Sequence, residues 1–481
     1  MRRLPALRAL RRAAALSLVA GASALSACGD GTDTLLEAVD PDIINPTDLT
    51  TTEGALALYV GTFNRARAAY LGTGTDNGEW LFGGLLADEW STSSTFIQND
   101  EADQRKVLEN NSTSTGNFRG VARVRTAANQ ALKAMKELRP TETNRIGELY
   151  FHRGFAELQL ASDFCNGIPI SDASGDEILL GTPESVAQVL QRAVASFDSA
   201  LAVATGTDAT SLLVQRASRV GKARALLALG NNRAAEAAAL VTATLVPTSF
   251  SYELTFSATA GNNNIWGQGV SNRRYSVGDS LEGNARNLLV RNAIPFFSAR
   301  DPRLPVTYTI SANQRDTTKG QDGFTFSRTT PIYLEFTSIP MANGLDARLI
   351  EAEARLIAQD IPGMMTILNA LRASPPQYGA FGLAGGPAAL TAAQLPPLAT
   401  PASQEAAINL YFREKAFWTF SRGQRLGDLR RLIRSYGRTA ANTFPQGPHY
   451  RGGDYGGDLN FPVPTDERVN SAFTGCTNRS A

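Results

Sequence analysis

The sequence predicts a mainly α fold in which helix pairs stack into an α-solenoid-like scaffold, with irregular loops and a few short strands packed on it. Apolar residues recur at helical spacing in paired segments separated by short turns, and pairs of this kind need neighbours to bury their apolar stripes. Between the pairs lie stretches rich in Gly, Asn, Ser and Thr that carry no helical period. A basic leader that ends at a cysteine sets the compartment.

From the N-terminus, Arg2, Arg3, Arg8, Arg11 and Arg12 form a basic segment, and the 15 residues Ala13 to Ala27 carry neither charge nor proline. This is the grammar of a cleaved export signal, since the run falls short of the roughly 20 apolar residues a helix needs to cross a hydrocarbon core. The stretch LSACGD at 25–30 places a leucine three positions before Cys28 with two small residues between them. It is similar to a bacterial lipobox, which implies a signal peptide over 1–27, acylation of Cys28, a tether over 28–52 and a single domain over 53–481. Acyl chains contribute about 0.8 kcal/mol per buried CH₂, so the lipid anchor is expected to hold a globular domain on a membrane surface outside the cytoplasm. Of 46 Lys and Arg, five leave with the leader, so 41 basic groups face 45 acidic ones. That balance gives no polybasic footprint and argues against a nucleic-acid partner. Cys165 and Cys476 are then two thiols in an exported chain, and a disulfide between them is expected, with two unconnected thiols as the alternative.

In RVGKARALLALGNNRAAEAAALVTATLVP, Val220, Ala223, Leu226, Leu227 and Gly230 share one face, GNN breaks the helix, and a second alanine-rich helix follows. The spacing of Gly230, Ala235 and Pro247 matches the later part of the tetratricopeptide pattern, although Arg219 and Lys222 stand where that pattern prefers apolar residues. Further pairs are expected at 118–138 with 142–164, at 184–205 with the unit just described, and at 344–358 with 362–373. In the last of these, Leu345, Leu349, Ala352 and Leu356 keep the i, i+4, i+7, i+11 stripe of a buried face. Irregular regions at 248–343 and 374–402, and a tail from Asn442, separate or follow the pairs. Within the first, a brief helical period shows near 284–294, and PIYLEF, with Ile332, Leu334 and Phe336 alternating, reads as a short strand. Long irregular segments inside a compact protein are uncommon unless they carry function, so binding is expected there.

Taken with the lipobox, three further stretches resemble the SusD/RagB family of outer-membrane nutrient-binding lipoproteins. GELYFHRGFAELQLASDFCNGIPIS has a helix with Arg153 running into the turn Gly167-Ile168-Pro169. DPRLP at 301–305 precedes the helix GLDARLIEAEARLIA, and REKAFWTFSRGQRLGDLRRL places Glu414, Gly423, Arg425, Asp428, Leu429 and Arg431 on the family's G-x-R-x-x-D-L-x-R motif and the helix before it. FPVPTDE, from 461, is similar to the family's closing segment. Departures exist: Leu426 stands where the family commonly has an aromatic, and NSAFTGCTNRS replaces its usual tail. The resemblance implies a SusD-like fold with four tetratricopeptide-like helix pairs. It also implies a lid on a SusC-like TonB-dependent transporter, placed on the outer face of the outer membrane, that captures oligosaccharides or other nutrients without performing chemistry.

Enzyme signals are sparse. Two histidines, His152 and His449, are too few for a multi-histidine metal site; no phosphate-cradling glycine motif is present, and no cofactor or metal is called for. The rival reading, a surface glycoside hydrolase, rests on Asp88 and Glu89 beside Trp90, yet adjacent carboxylates point apart in helix and strand alike. A helix-repeat scaffold for protein partners is the third reading. Sugar rings stack their C–H faces on aromatics while their hydroxyls need amides and charges. Trp80 and Trp418 read as core. Trp90, followed by the polar STSSTFIQND, and Trp266, in GNNNIWGQGVSNRRY with Asn264 and Tyr275 nearby, read as ligand-binding candidates, Trp266 first.

Overall fold

The structure is a computed structural model that describes residues 50–74, 77–175, 177–283, 286–307 and 318–481. Residues 1–49, which hold the expected export signal, Cys28 and most of the expected tether, lie outside the described residues. Residues 55–481 form one compact unit; of the other unit, 1–54, only 50–54 are described.

Helices dominate. In chain order they are α1 (Thr52–Leu71), α2 (Glu79–Ala87), α3 (Ile97–Asp103), α4 (Ser112–Leu138), α5 (Thr143–Asp163), α6 (Val186–Val203), α7 (Ala209–Leu229), α8 (Ala234–Leu240), α9 (Gly344–Ile357), α10 (Ile361–Ala373), α11 (Gln404–Trp418) and α12 (Arg425–Tyr436). Sequential neighbours pack on one another, α4 on α5, α5 on α6, α6 on α7, α7 on α8 and α9 on α10, as the paired periodicity predicts. Local chemistry sets the starts: Ser185 and Gln188 form a reciprocal capping box at α6, Asn343 and Asp346 another at α9, and Asp208 accepts from the N–H groups of Thr210 and Ser211 at α7. Small residues then let the helices close. A Cβ at Gly221 of α7 would stand 2.5 Å from the Phe197 ring of α6, and one at Gly154 of α5 would stand 3.1 Å from the same ring. Phe197 is fully buried between the two bare backbones.

The strands are short two-stranded antiparallel pairs: β1 (Trp90–Thr92) with β5 (Tyr275–Val277), β2 (Ile168–Pro169) with β3 (Pro183–Glu184), β4 (Ser251–Leu254) with β8 (Ile339–Asn343), and β6 (Leu281–Glu282) with β7 (Leu288–Leu289). Two local expectations fail. PIYLEF is not a strand: Ile332 and Tyr333 are both fully buried, and Leu334 and Thr337 exchange hydrogen bonds across a turn. Burial of two successive side chains removes the alternation a half-exposed strand needs, and the ladder forms three residues later, at β8. The brief helical period near 284–294 is also absent among the described residues, where β7 pairs with β6 instead.

The tail returns to the scaffold. Cys165, just past α5, is joined to Cys476 by a disulfide, and bridges from Phe164 to Phe461 and from Asn166 to Asn478 flank it. Among the described residues no helix is long and apolar enough to cross a membrane.

Candidate functional site

Among the described residues an open groove of about 500 Å³ lies between α1 and α4. Helical spacing makes it. On α4, Thr113, Gly116, Gly120 and Arg123 recur at i, i+3, i+7 and i+10 and face Arg65, Ala68 and Ala69 of α1. Gly120 sets the floor, since a Cβ there would touch Ala69 at 3.5 Å; Gly116 leaves the space open, since a Cβ there would meet nothing within 4 Å. Asn77 and Phe96 close one side from the loops before α2 and α3, Gln98 joins them from the first turn of α3, and Asn117 and Ser112 add polar groups from α4. Arg65 and Arg123 are exposed.

Beside the groove three segments from the irregular regions are tied together. The Ser93 N–H donates to the carbonyl of Arg274 at 2.9 Å and its hydroxyl to that of Arg273 at 2.8 Å; Gln321 N–H reaches Arg273 at 3.0 Å and Asp322 N–H reaches Ser93 at 3.1 Å. The Arg274 guanidinium lies over the Phe96 ring, 4.2 Å from its centre. Arg451 braces the junction through the Ser94 carbonyl at 2.9 Å and Asp322 at 2.7 Å. Phe324, at the tip of this turn, is 51% exposed. A π-helical turn, Ile265–Ser271, is clipped to the same rim, because Asn264 Nδ2 and Gln268 Nε2 both donate to the carbonyl of Gly74, in the loop that leads to Asn77.

The sequence candidates separate. Trp266 is half-buried in that π turn. Trp90 is 2% exposed: it opens β1, donates Nε1–H to Ser421 Oγ at 3.0 Å, and packs edge-on against the Tyr275 ring. Tyr275 and Asn264 are 0% and 1% exposed. The expectation of an exposed Trp90 therefore does not hold, and neither Trp90 nor Tyr275 offers a free face to a sugar. The polar run after Trp90 misleads because its hydroxyls and amides are spent inside: Ser91 Oγ donates to Glu282 and Thr92 N–H to Asp103.

Asp88 and Glu89 diverge as adjacent carboxylates must. Asp88 holds Arg425 at 2.7 Å, while Glu89 Oε1 accepts from the Ser421 N–H at 2.8 Å and is 1% exposed, so the two share no solvent-facing cleft. Burial pushes Glu89 up to about 8. His152 is fully buried, with Nε2 2.8 Å from the Tyr252 hydroxyl, and desolvation pulls it down to about 3. His449 sits in the tail 3.3 Å from Asp103. Among the described residues no group of three or more His, Cys, Asp or Glu side chains is placed to hold a metal.

No protein-family model matches this sequence, and no curated protein matches it either. Solved structures do. A SusD superfamily protein from Bacteroides thetaiotaomicron superposes with a TM-score of 0.60 at 14% identity, over 89% of this chain and 100% of the other. One from Bacteroides vulgatus gives 0.59 at 15%, over 88% and 98%. A SusD-like carbohydrate binding protein from the same species gives 0.50 at 15%, over 79% and 83%. The fold is that of the SusD superfamily.

Within this SusD fold the residues that carried the resemblance are core ion pairs. Glu414 receives Arg303 of the DPRLP segment at 2.7 Å and Arg372 of α10 at 3.0 Å, all three buried. Arg422 grips Asp346 at 2.6 Å, and Asp428 accepts Lys415 at 2.7 Å. Gly423 turns the chain at φ +62°, where a Cβ would stand 2.2 Å from Trp80 Cδ1. Sequence reasoning missed the groove. Its signal was present in α4, where Gly116, Gly120 and Arg123 share one helical face.

Proposed function

We propose that this chain is a cell-surface lipoprotein, anchored through Cys28 on the outer face of the outer membrane, that captures oligosaccharides and delivers them to a SusC-like TonB-dependent transporter. One observation carries the reading: in a SusD fold, a groove of about 500 Å³ lined by amides, hydroxyls and arginines adjoins a rim that bears Phe96, Phe324 and Trp266. That volume lies within the ~300–1,000 Å³ of small-ligand clefts. Apolar faces for C–H stacking beside donors and acceptors for hydroxyls are what a glycan needs. Capture without cleavage fits the burial of Asp88 and Glu89 in structural contacts.

The test is a glycan array probed with protein from Gly29 onward, which retains the whole 55–481 unit, with the same samples assayed for product. Saturable binding of intact oligosaccharide supports the reading, and a cleaved product overturns it. Co-purification of the acylated chain with a TonB-dependent transporter from solubilised outer membranes tests the delivery step; a chain that fractionates alone refutes that step.

A further inference from the structure

We propose that the groove between α1 and α4 selects glycans that carry negative charge, as carboxylate or sulfate ester groups, over their neutral counterparts. This rests on the glycan-binding reading above and narrows it.

Arginines elsewhere near the groove are committed to partners, and the two that line it are not. On α4, Arg119 pairs with Asp466 and Arg125 holds Glu157 at 3.1 Å, whereas Arg123 has no ion-pair or hydrogen-bond partner among the described residues. On α1, Arg67 donates to the carbonyl of Thr255 at 2.9 Å, whereas Arg65 is likewise unpaired among the described residues. No carboxylate belongs to the described lining. In a chain of 46 basic and 45 acidic side chains, that local asymmetry leaves two cationic forks facing open space.

The backbone points the same way. Ser112 and Thr113 open a helix of 27 residues that has no acidic side chain in its first turn, and its cap, Asn111, is spent on the Ser114 N–H. The N-terminal end of the helix therefore borders the groove, with the Ser112 and Thr113 N–H groups ahead of the capped Ser114, while the Glu101 carboxylate stands behind the cap, 2.7 Å from Asn111 Nδ2. Gln98, Ser112 and Thr113 add neutral amide and hydroxyl groups to the lining, which suit the hydroxyls of a sugar and which a bare inorganic anion does not call for. Guanidinium forks bind carboxylate and sulfate alike through paired N–H···O bonds.

The experiment titrates the protein with four probes: a uronic-acid oligosaccharide, a sulfated oligosaccharide, a neutral oligosaccharide of the same backbone, and a short polyglutamate peptide. Either anionic sugar is expected to bind at least about tenfold more tightly than the neutral one, which of the two binds better naming the anion. Arg65→Gln and Arg123→Gln, both at exposed positions, should each weaken that binding roughly tenfold by removing a charge-assisted contact. Gly116→Leu, which fills open space and raises helix propensity, should abolish binding while the protein stays folded. Equal affinity for neutral and anionic sugars, or arginine variants without effect, overturns the charge selectivity and leaves the glycan reading intact. Gly116→Leu with unchanged binding overturns the groove as the site, and polyglutamate binding with no sugar bound overturns the sugar as ligand. No binding of any sugar refutes the parent reading.

Discussion

Glu89→Gln should separate from the wild type in stability as pH rises, and by an amount that the structure sets. Glu89 is 1% exposed, and its Oε1 accepts the Ser421 N–H. Burial is the largest influence, the Asp88 charge adds to it, and the Ser421 N–H and Arg425 oppose it; together they carry Glu89 from its ordinary 4.5 to about 8. An acid whose pKa is higher in the folded state takes up a proton on folding. Its stabilising contribution is therefore complete below about pH 4.5 and is lost as pH climbs through 8. At about 1.4 kcal/mol per pH unit across that interval, the wild type forfeits up to ~5 kcal/mol that the permanently neutral glutamine retains.

An unfolding entropy near 2.1 cal/mol/K per residue gives ~0.9 kcal/mol/K for a unit of this size, so the two proteins should differ in Tm by roughly 2–5 °C at pH 9. The lower figure applies where water enters beside the ionised carboxylate. Circular dichroism melts of both proteins at half-unit steps from pH 4.5 to 9 read this directly. The curves should coincide at the acid end and diverge steadily, the glutamine variant on top. Parallel curves throughout would mean that Glu89 is ionised in the folded protein at every pH tested, and the desolvation reasoning would fail.

Other expectations concern the rim, the core and the tail. Trp266→Ala should weaken glycan binding by ~1–3 kcal/mol, the value of one lost stack on an aromatic face; an unchanged isotherm for a proven ligand removes Trp266 from the site. Arg425→Met leaves Asp88 buried without its cation and should lower stability by about 3–5 kcal/mol, with glycan affinity unchanged by calorimetry. The double variant Cys165→Ser with Cys476→Ser opens a loop spanning 311 positions and should lower unfolding free energy by roughly 2–5 kcal/mol in denaturant titrations. A titration that superposes on the wild type would show that the tail bonds alone hold the C-terminus.

The scaffold was legible because its signals are local. Helical stripes such as Leu345, Leu349, Ala352 and Leu356 face the core as drawn. PIYLEF failed because alternation in six residues is weak evidence when a turn buries two neighbours in succession. Trp90 failed for a different reason. A serine- and threonine-rich stretch looks solvated, but Ser91, Thr92, Ser93 and Ser94 are all nearly fully buried, and their hydrogen bonds go to Glu282, Asp103 and Arg273, at sequence distances no local pattern reports. The groove was hidden because its walls, α1 and α4, lie some 50 residues apart and its openness comes from what Gly116 lacks.

The arginines show why such a chain can keep a fold at 12–15% identity while its motifs leave the ligand unnamed. Arg303, Arg422, Arg425 and Arg431 are buried and gripped by Glu414, Asp346, Asp88 and Glu353. Removing one partner of such a pair strands a charge in low dielectric, so these positions are held by stability whatever the ligand. Arg65 and Arg123 have the opposite accounting: both are exposed and unpaired among the described residues, and their replacement strands nothing. A recognisable motif therefore marks where the core needs its ions, and the groove is free to change its chemistry at little cost to the fold. Ligand identity has to be read from side chains that the fold does not need.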